Sequence, residues 1–394
     1  MKKFFALCAV ASMFVACAKE STDSLVEDFL TPEENAGQVA VQFKSNVTAS
    51  VQTKAQGGVD QWNAKQDLYI YGFQRVSGAV DYRTATPLID NVLTKSPSDN
   101  GSSALSVVNS EGDPFYYVGN YVYDFFGYYL DDLSAYVQRR TDGVYVDVEL
   151  TGGEDVMLAK ADPAEDVKRA KTEGVFTGDD NWKDAYAYSA YAARRGVQPT
   201  LVFKHQLVRF TFQITSGSEY STTGDAEKNL YVTGLTMKAR NKATLCVAGN
   251  NTGFVDIEND MEELYLCSKE NGKLVGLKKY EVPDKSVVVS DGSNILGESL
   301  MVIPNDAPKS GETDSYSMTL YMEQAGIKLP YPVDVKFSSV TGAPSGQTQF
   351  TAGYSYRITI KVYSIEDVEI SAKLEPWEAG GDLEIDTDDA PEII

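Results

Sequence analysis

The stretch TLVFKHQLVRFTFQI, residues 200–214, decides the fold. Leu201, Phe203, His205 and Leu207 take the odd positions, and Val208, Phe210, Phe212 and Ile214 the even ones. Apolar alternation at period two is the mark of a half-buried strand. The apolar phase flips at Leu207–Val208. A one-residue slip would turn every side chain to the other face, so the sequence predicts a bulge or a change of sheet there.

The same period recurs outward in both directions. QVAVQFKSNV (38–47) places Val39, Val41, Phe43 and Val47 on one face. Val144, Val146, Val148 and Leu150 alternate with Tyr145, Asp147 and Glu149. So do Tyr316 to Met322, Val333 to Phe337, Ile358 to Val362, and Val368, Ile370, Ala372 and Leu374. Gly, Asn, Asp and Ser clusters at 96–103, 215–225 and 339–347 read as turns. Helical periodicity is nearly absent, and PAEDVKRAK (163–171) is the one short helix expected, with Pro163 suited to a first turn. Many short strands between turn signals predict an all-β chain of β-sandwiches.

The N-terminus carries an export pattern. Lys2 and Lys3 precede an uncharged apolar run, Phe4 to Ala16, that ends Phe14-Val15-Ala16-Cys17. A helix of that length rises about 20 Å, short of a hydrocarbon core of about 30 Å. The pattern is that of a secretory signal, and its end resembles a lipobox, which implies cleavage before Cys17 and acylation of that residue. Residues 1–16 are thus expected to be a lipoprotein signal peptide. The acidic, polar stretch 17–37 is expected to be a flexible spacer. The remainder is long enough for two domains, and the polar stretch 215–228 suggests 38–216 and 217–394, the second with an acidic tail.

The 394 residues hold 57 acidic and 35 basic side chains, a formal charge of −22. Such acidity argues against a nucleic-acid partner, which needs clustered Lys and Arg. His205 is the single histidine and reads as a structural, hydrogen-bonded residue. GxSxG and HExxH motifs are absent, so neither an enzyme nor a cofactor is expected. Asp131-Asp132 and Asp179-Asp180 lack the spacing of a calcium loop, and no metal site is expected. After Cys17 come only Cys246 and Cys267, which an oxidising compartment could join or leave as two buried thiols. The aromatic run from Tyr116 to Tyr129 suits sheet packing better than a glycan-stacking platform.

In order along the chain, the lipobox at Cys17, VAVQFKSNV with TKAQGG, DLYIYGF, YDFFGYYL, DVMLAKA, VFKHQLVRFTFQI, LMVIPN, FTAGYSYRITIKV and LEPW resemble the fimbrillins of Bacteroidetes, the lipoprotein subunits of type V pili. The resemblance implies two tandem transthyretin-like β-sandwich domains. It implies a cell-surface pilus subunit (stalk, tip or anchor) that supports adhesion and has other fimbrillin subunits and an adhesion target as partners. It implies delivery to the outer membrane through a lipid on Cys17. It further implies assembly by donor-strand exchange: a protease cuts after the first strand, and a neighbour's extended segment fills the vacated groove. Val39, Val41, Phe43 and Val47 would then form the removable strand. Val368, Ile370, Ala372 and Leu374, extended by Leu383 and Ile385, are a candidate donor. The family's usual cut follows an Arg, but Arg75 is the first after Cys17, so Lys54 becomes the candidate processing site. The competing expectation is a lipid-anchored surface glycan-binding protein.

Overall fold

The computed structural model describes residues 39–48, 66–96, 103–119, 121–131, 133, 136–178, 182–217, 225–270, 273–276, 281–288 and 294–375. In chain order the first strands are β1 (Phe43–Thr48), β2 (Asp67–Gln74), β3 (Ile89–Lys95), β4 (Ser103–Leu105), β5 (Tyr123–Tyr129), β6 (Val137–Arg139), β7 (Gly143–Glu149) and β8 (Met157–Lys160). Helices α1 (Pro163–Thr172) and α2 (Ala190–Arg194) precede β9 (Thr200–His205) and β10 (Val208–Ser216). Then come β11 (Tyr231–Arg240), β12 (Lys242–Gly249), β13 (Gly253–Val255), β14 (Met261–Tyr265), β15 (Cys267–Glu270), β16 (Lys273–Gly276) and β17 (Glu281–Val287). The last are β18 (Asn294–Val302), β19 (Ser315–Gln324), β20 (Ile327–Lys336), β21 (Val340–Thr341), β22 (Ser355–Ser364) and β23 (Asp367–Glu375). The chain is all-β, as expected.

The first sandwich is built on a seven-stranded sheet, β3-β2-β5-β8-β9-β1-β4. Both faces of that sheet are covered. On one side Phe125 and Tyr129 of β5 and Leu201 and Phe203 of β9 pack with Val167 and Ala170 of α1 and Ala190 and Ala192 of α2. On the other, Tyr71, Phe73, Phe126 and Tyr128 pack with Val144, Val146 and Val148 of β7 and Leu245 and Val247 of β12, in the sheet β13-β12-β7-β6. Burial on two faces explains why DLYIYGF and YDFFGYYL are continuously apolar rather than alternating. It also explains the aromatic run: Tyr117, Tyr123, Phe125, Phe126, Tyr128 and Tyr129 are all buried. Gly127 makes room in this sheet, since a Cβ there would lie 2.7 Å from the Phe203 ring.

The second sandwich packs β18-β10-β22-β23-β21 against β14-β11-β19-β20, with β17 also paired to β11. Its core joins Phe210 and Phe212 of β10, Leu235 and Met237 of β11, Met318 and Leu320 of β19, and Ile358 and Ile360 of β22. Pro330 and Pro332 lie on β20, an edge strand. Proline is tolerated there, and it blunts an edge otherwise open to pairing with another chain.

The phase flip at Leu207 is a change of sheet. Strand β9 ends in the first sandwich at His205, and β10 begins in the second at Val208. The Gln206 N–H donates to Val156 O at 2.8 Å, and the Gly353 N–H donates to Leu207 O at 2.8 Å. Leu207 is buried in the first sandwich and Val208 in the second. A register shift follows between Phe210 and Phe212 against β18.

The expected domain boundary at 216/217 does not coincide with the division between sheets. Strand β10, on the N-terminal side of that boundary, belongs to the second sandwich. Strands β12 and β13, well beyond it, complete the first. The chain therefore passes between sandwiches at 206–207, at Asn241 and again after Val255. Asn241 pins the second crossing: its C=O accepts from Leu150 N–H at 2.8 Å, and its Nδ2 donates to Leu150 O at 3.1 Å. Beside it, Arg240 donates to Pro304 O at 2.7 Å and to Asp306 at 3.1 Å. Strands β10 and β11, on either side of the polar stretch 215–228, belong to one sandwich. Polar composition does not separate a connection within a domain from a linker between two.

Helix α1 forms as expected. Asp162 caps it, accepting from the N–H groups of Ala164 and Glu165, with Pro163 in the first turn. His205 is buried with its Nδ1 2.8 Å from Asp155 Oδ2, the structural role its position suggested.

Candidate functional site: the seat of the first strand

Strand β1 lies between two others. It runs parallel to β9, with Lys44 opposite Thr200 and Val47 opposite Phe203, and antiparallel to β4, with Phe43 opposite Leu105. Val41 and Phe43 are 5% and 3% exposed, and Val39 is partly buried against the same core. The side chain of Val47 lies outside the described residues. The Phe43 ring meets Phe125 edge-on, centroids 5.1 Å apart, a favoured aromatic geometry. Burying side chains such as Val41 and Phe43 stabilises by roughly 1.5–3 kcal/mol each.

The residues leading into β1 are bonded on both flanks. The Val41 N–H donates to Phe115 O at 2.8 Å and the Tyr117 N–H to Val39 O at 2.9 Å. Opposite, the Gln42 N–H donates to Gln198 Oε1 at 3.2 Å, and Gln198 Nε2 donates to Ala40 O at 3.4 Å. Lys44 pairs with Glu173 at 3.1 Å on the half-exposed rim, where ion pairs contribute little.

Asp166 fixes the far wall. From α1 it accepts the Thr200 N–H at 2.9 Å, at the first residue of β9, and also the Tyr188 hydroxyl and Arg169. Burial raises its pKa despite those donors and Arg169, which favour the ionised form. A raised folded pKa means that the group's contribution to stability is fully present below the unfolded carboxyl value, about 3.9. That contribution is lost as pH rises through the folded value. Urea denaturation of wild type and Asp166→Asn at pH 4 and pH 7 should show wild type gaining on the variant at the lower pH. A gain at the higher pH would contradict the assignment.

The other sequence-predicted residues are dispersed. Val368, Ile370, Ala372 and Leu374 lie on β23, which pairs along its length with β22 and at Ala372–Lys373 with β21. Ala372 and Leu374 are buried there, and Val368 and Ile370 partly so. The candidate donor is thus a strand of its own sandwich in this structure. Cys246 is a buried free thiol on β12, 3.6 Å from Ala248 O, and burial raises its pKa. The side chain of Cys267, its possible partner, lies outside the described residues. The crossing at Asn241 carries β12 into the first sandwich, and Cys267 starts β15, which pairs with β16. Cys17, Lys54, Leu383 and Ile385 lie outside the described residues. Among the described residues no three His, Cys, Asp or Glu side chains are grouped to hold a metal, and no helix is long and apolar enough to cross a membrane.

Sequence reasoning missed the second wall of the seat, residues 103–117. SALSVVNSEGDPFYY has turn-like composition and only short apolar alternation. Leu105 and Val107, two residues apart, were the available signal.

Several proteins resemble this chain. A candidate cell-adhesion protein from Bacteroides uniformis is 19% identical, with 86% of this chain and 99% of that one aligned at a TM-score of 0.45. Another from Bacteroides ovatus is 12% identical, covering 87% and 99% at 0.44. The fimbrial anchor protein Mfa2 of Porphyromonas gingivalis is 9% identical, covering 86% and 98% at 0.36. No curated relative matches by sequence. The model of the fimbrillin-like family matches residues 53–377, most of the sequence, and the chain belongs to that family.

Proposed function

We propose that this pilus-type subunit is made as an outer-membrane lipoprotein acylated on Cys17 and assembles into a surface fimbrium by exchange of its first strand. The observation that carries the proposal is the seat of β1. Val41 and Phe43 plug the helix-covered core from a strand whose own chain continues through Lys54. Loss of this strand would leave β9 with an open edge and an apolar groove beside Phe125, Leu201 and Phe203. An extended segment with alternating apolar side chains satisfies both needs, as in β-augmentation. The donor would be the C-terminal region of another subunit: Val368 to Leu374, or the Leu383–Ile385 extension, which spares β23 its place in the second core. An adhesion target would be met by the assembled fibre. The glycan-binding alternative has less support, because Tyr117, Tyr123, Phe125, Phe126, Tyr128 and Tyr129 of the aromatic run are buried.

The test is to treat the purified precursor with a lysine-specific protease. The expected result is an N-terminus at Ala55 and SDS-resistant multimers, both abolished by Lys54→Ala. A processed protein still beginning at Cys17, or multimers that ignore the cut, would overturn the proposal.

A further inference from the structure

The groove has a second wall, and it behaves unlike the first. Strand β9 is held by β8 as well as by β1. Among the described residues strand β4 ends the sheet and has β1 as its one strand partner. Beyond β4, residues 115–117 pair again with 39–41: Val41 donates to Phe115 O, Tyr117 donates to Val39 O, and Ala40 bridges Tyr116. Between these two contacts the chain closes on itself. Val108 bridges Pro114, and Asn109 exchanges backbone bonds with Asp113 and Gly112. The Asn109 side chain accepts from the N–H groups of Glu111 and Asp113. Gly112 sits at φ 87°, a conformation few other residues adopt. The unit 103–117 is therefore a self-contained hairpin. Its outward main-chain pairing, among the described residues, goes to 39–45. The Thr94 hydroxyl donates to Ser106 O, and the Tyr117 ring packs near Tyr123 and Phe125. Those contacts tether its ends without replacing the lost ladder.

We propose that residues 103–117 are a strap that docks only while a strand fills the seat, so that the groove is a clasp completed by its occupant. Leu105, Val107 and Tyr117 are buried in the same core as Val41 and Phe43. When β1 leaves, the strap loses its backbone partners on both of its arms. When an extended segment of a second copy enters, that segment gains ladder bonds on both edges, parallel to β9 and antiparallel to the strap. Backbone pairing on two sides makes release slow, because both ladders must open together. The proposal deepens the strand-exchange function and draws its biological meaning from it. Its physical content can be tested in the intact monomer with no cleavage.

Hydrogen exchange read by mass spectrometry would compare the wild-type chain with Phe43→Ala. The expected result is faster exchange in 39–48, by at least tenfold, with an equal rise in 103–117. The Tyr117 amide is a direct reporter, since its acceptor is Val39 O. Strands β2 and β5 should keep their protection. Val41→Ala is the milder companion if Phe43→Ala does not fold. A strap that stays protected while 39–48 opens would overturn the clasp. So would equal loss in 123–129, since the strap would then belong to the general core. Failure of the protease experiment with success here would reject strand exchange and leave the clasp standing.

Discussion

Separate expression of residues 38–216 and 217–394 should yield no folded halves. The N-terminal piece would lack β12 and β13, exposing Val144, Val146 and Val148, which pack against Leu245 and Val247 in the intact chain. It would also carry β10 with Phe210, Phe212 and Ile214 stripped of their core. The C-terminal piece would lose β10, the strand between β18 and β22. Each omission uncovers a whole strand face, at roughly 1.5–3 kcal/mol per large apolar side chain. Net stabilities are of the order of 5–15 kcal/mol, so neither half should survive. Circular dichroism and gel filtration would show collapsed or aggregated material. Two soluble pieces, each unfolding cooperatively, would contradict the strand assignments. Mixing the pieces during refolding should recover the native spectrum, because the missing strands are then supplied in trans.

Phe350→Ala should destabilise the second sandwich by about 3–5 kcal/mol, the usual cost of truncating a buried phenylalanine. Phe350 is fully buried. Its ring stands 5.1 Å from Phe210, 5.2 Å from Phe337, 4.9 Å from Tyr356 and 5.6 Å from Tyr316. Three of these contacts are edge-on and one is tilted. They bring together β10, β19, β22 and the turn after β20. The Phe350 N–H also donates to the buried Asp314 carboxylate at 2.8 Å. Its neighbours are large rings on strands with fixed ladders, so the cavity cannot close easily. Chemical denaturation would measure the loss. A change below about 1 kcal/mol would mean that the aromatic cluster repacks.

These two predictions differ in how much of them is legible in the sequence. The strands themselves are local: alternation at 200–214, 316–322 and 358–362 needs no knowledge of the fold. The change of sheet at Leu207 is also legible, because a flipped phase has a geometric cause within the chain. Phe350 is different. It sits outside regular structure between β21 and β22, and no periodicity marks it as a hub. The strap is different too. Its buried residues are separated by a polar turn, and their common partner, β1, is some sixty residues away in sequence.

The seat of the first strand was half legible. Val39, Val41 and Phe43 announce one apolar face, and burial of Val41 and Phe43 follows from it. Which strands flank that face is not a local property. A parallel pairing of β1 with β9 joins residues more than 150 positions apart. Such pairings depend on where helices and loops carry the chain, and a strand's pattern says only that a partner is needed. The division of strands between the two sandwiches is non-local for the same reason. Composition at 215–228 reports polarity, whereas membership of a sandwich is decided by hydrogen-bond partners found elsewhere.

The sequence by itself determined that the chain is all-β, where most strands lie, which face of each is apolar, and where one strand turns over. These follow from side-chain period and turn chemistry, both set by neighbouring residues. Only the tertiary structure decided that the sandwiches exchange strands at Leu207, Asn241 and Val255. Only it decided that Cys246 is buried as a free thiol on β12, and that β1 is gripped by a wall on each side. Those outcomes depend on long-range ladders and shared cores, whose free energy is a sum over distant residues and is written in no single segment.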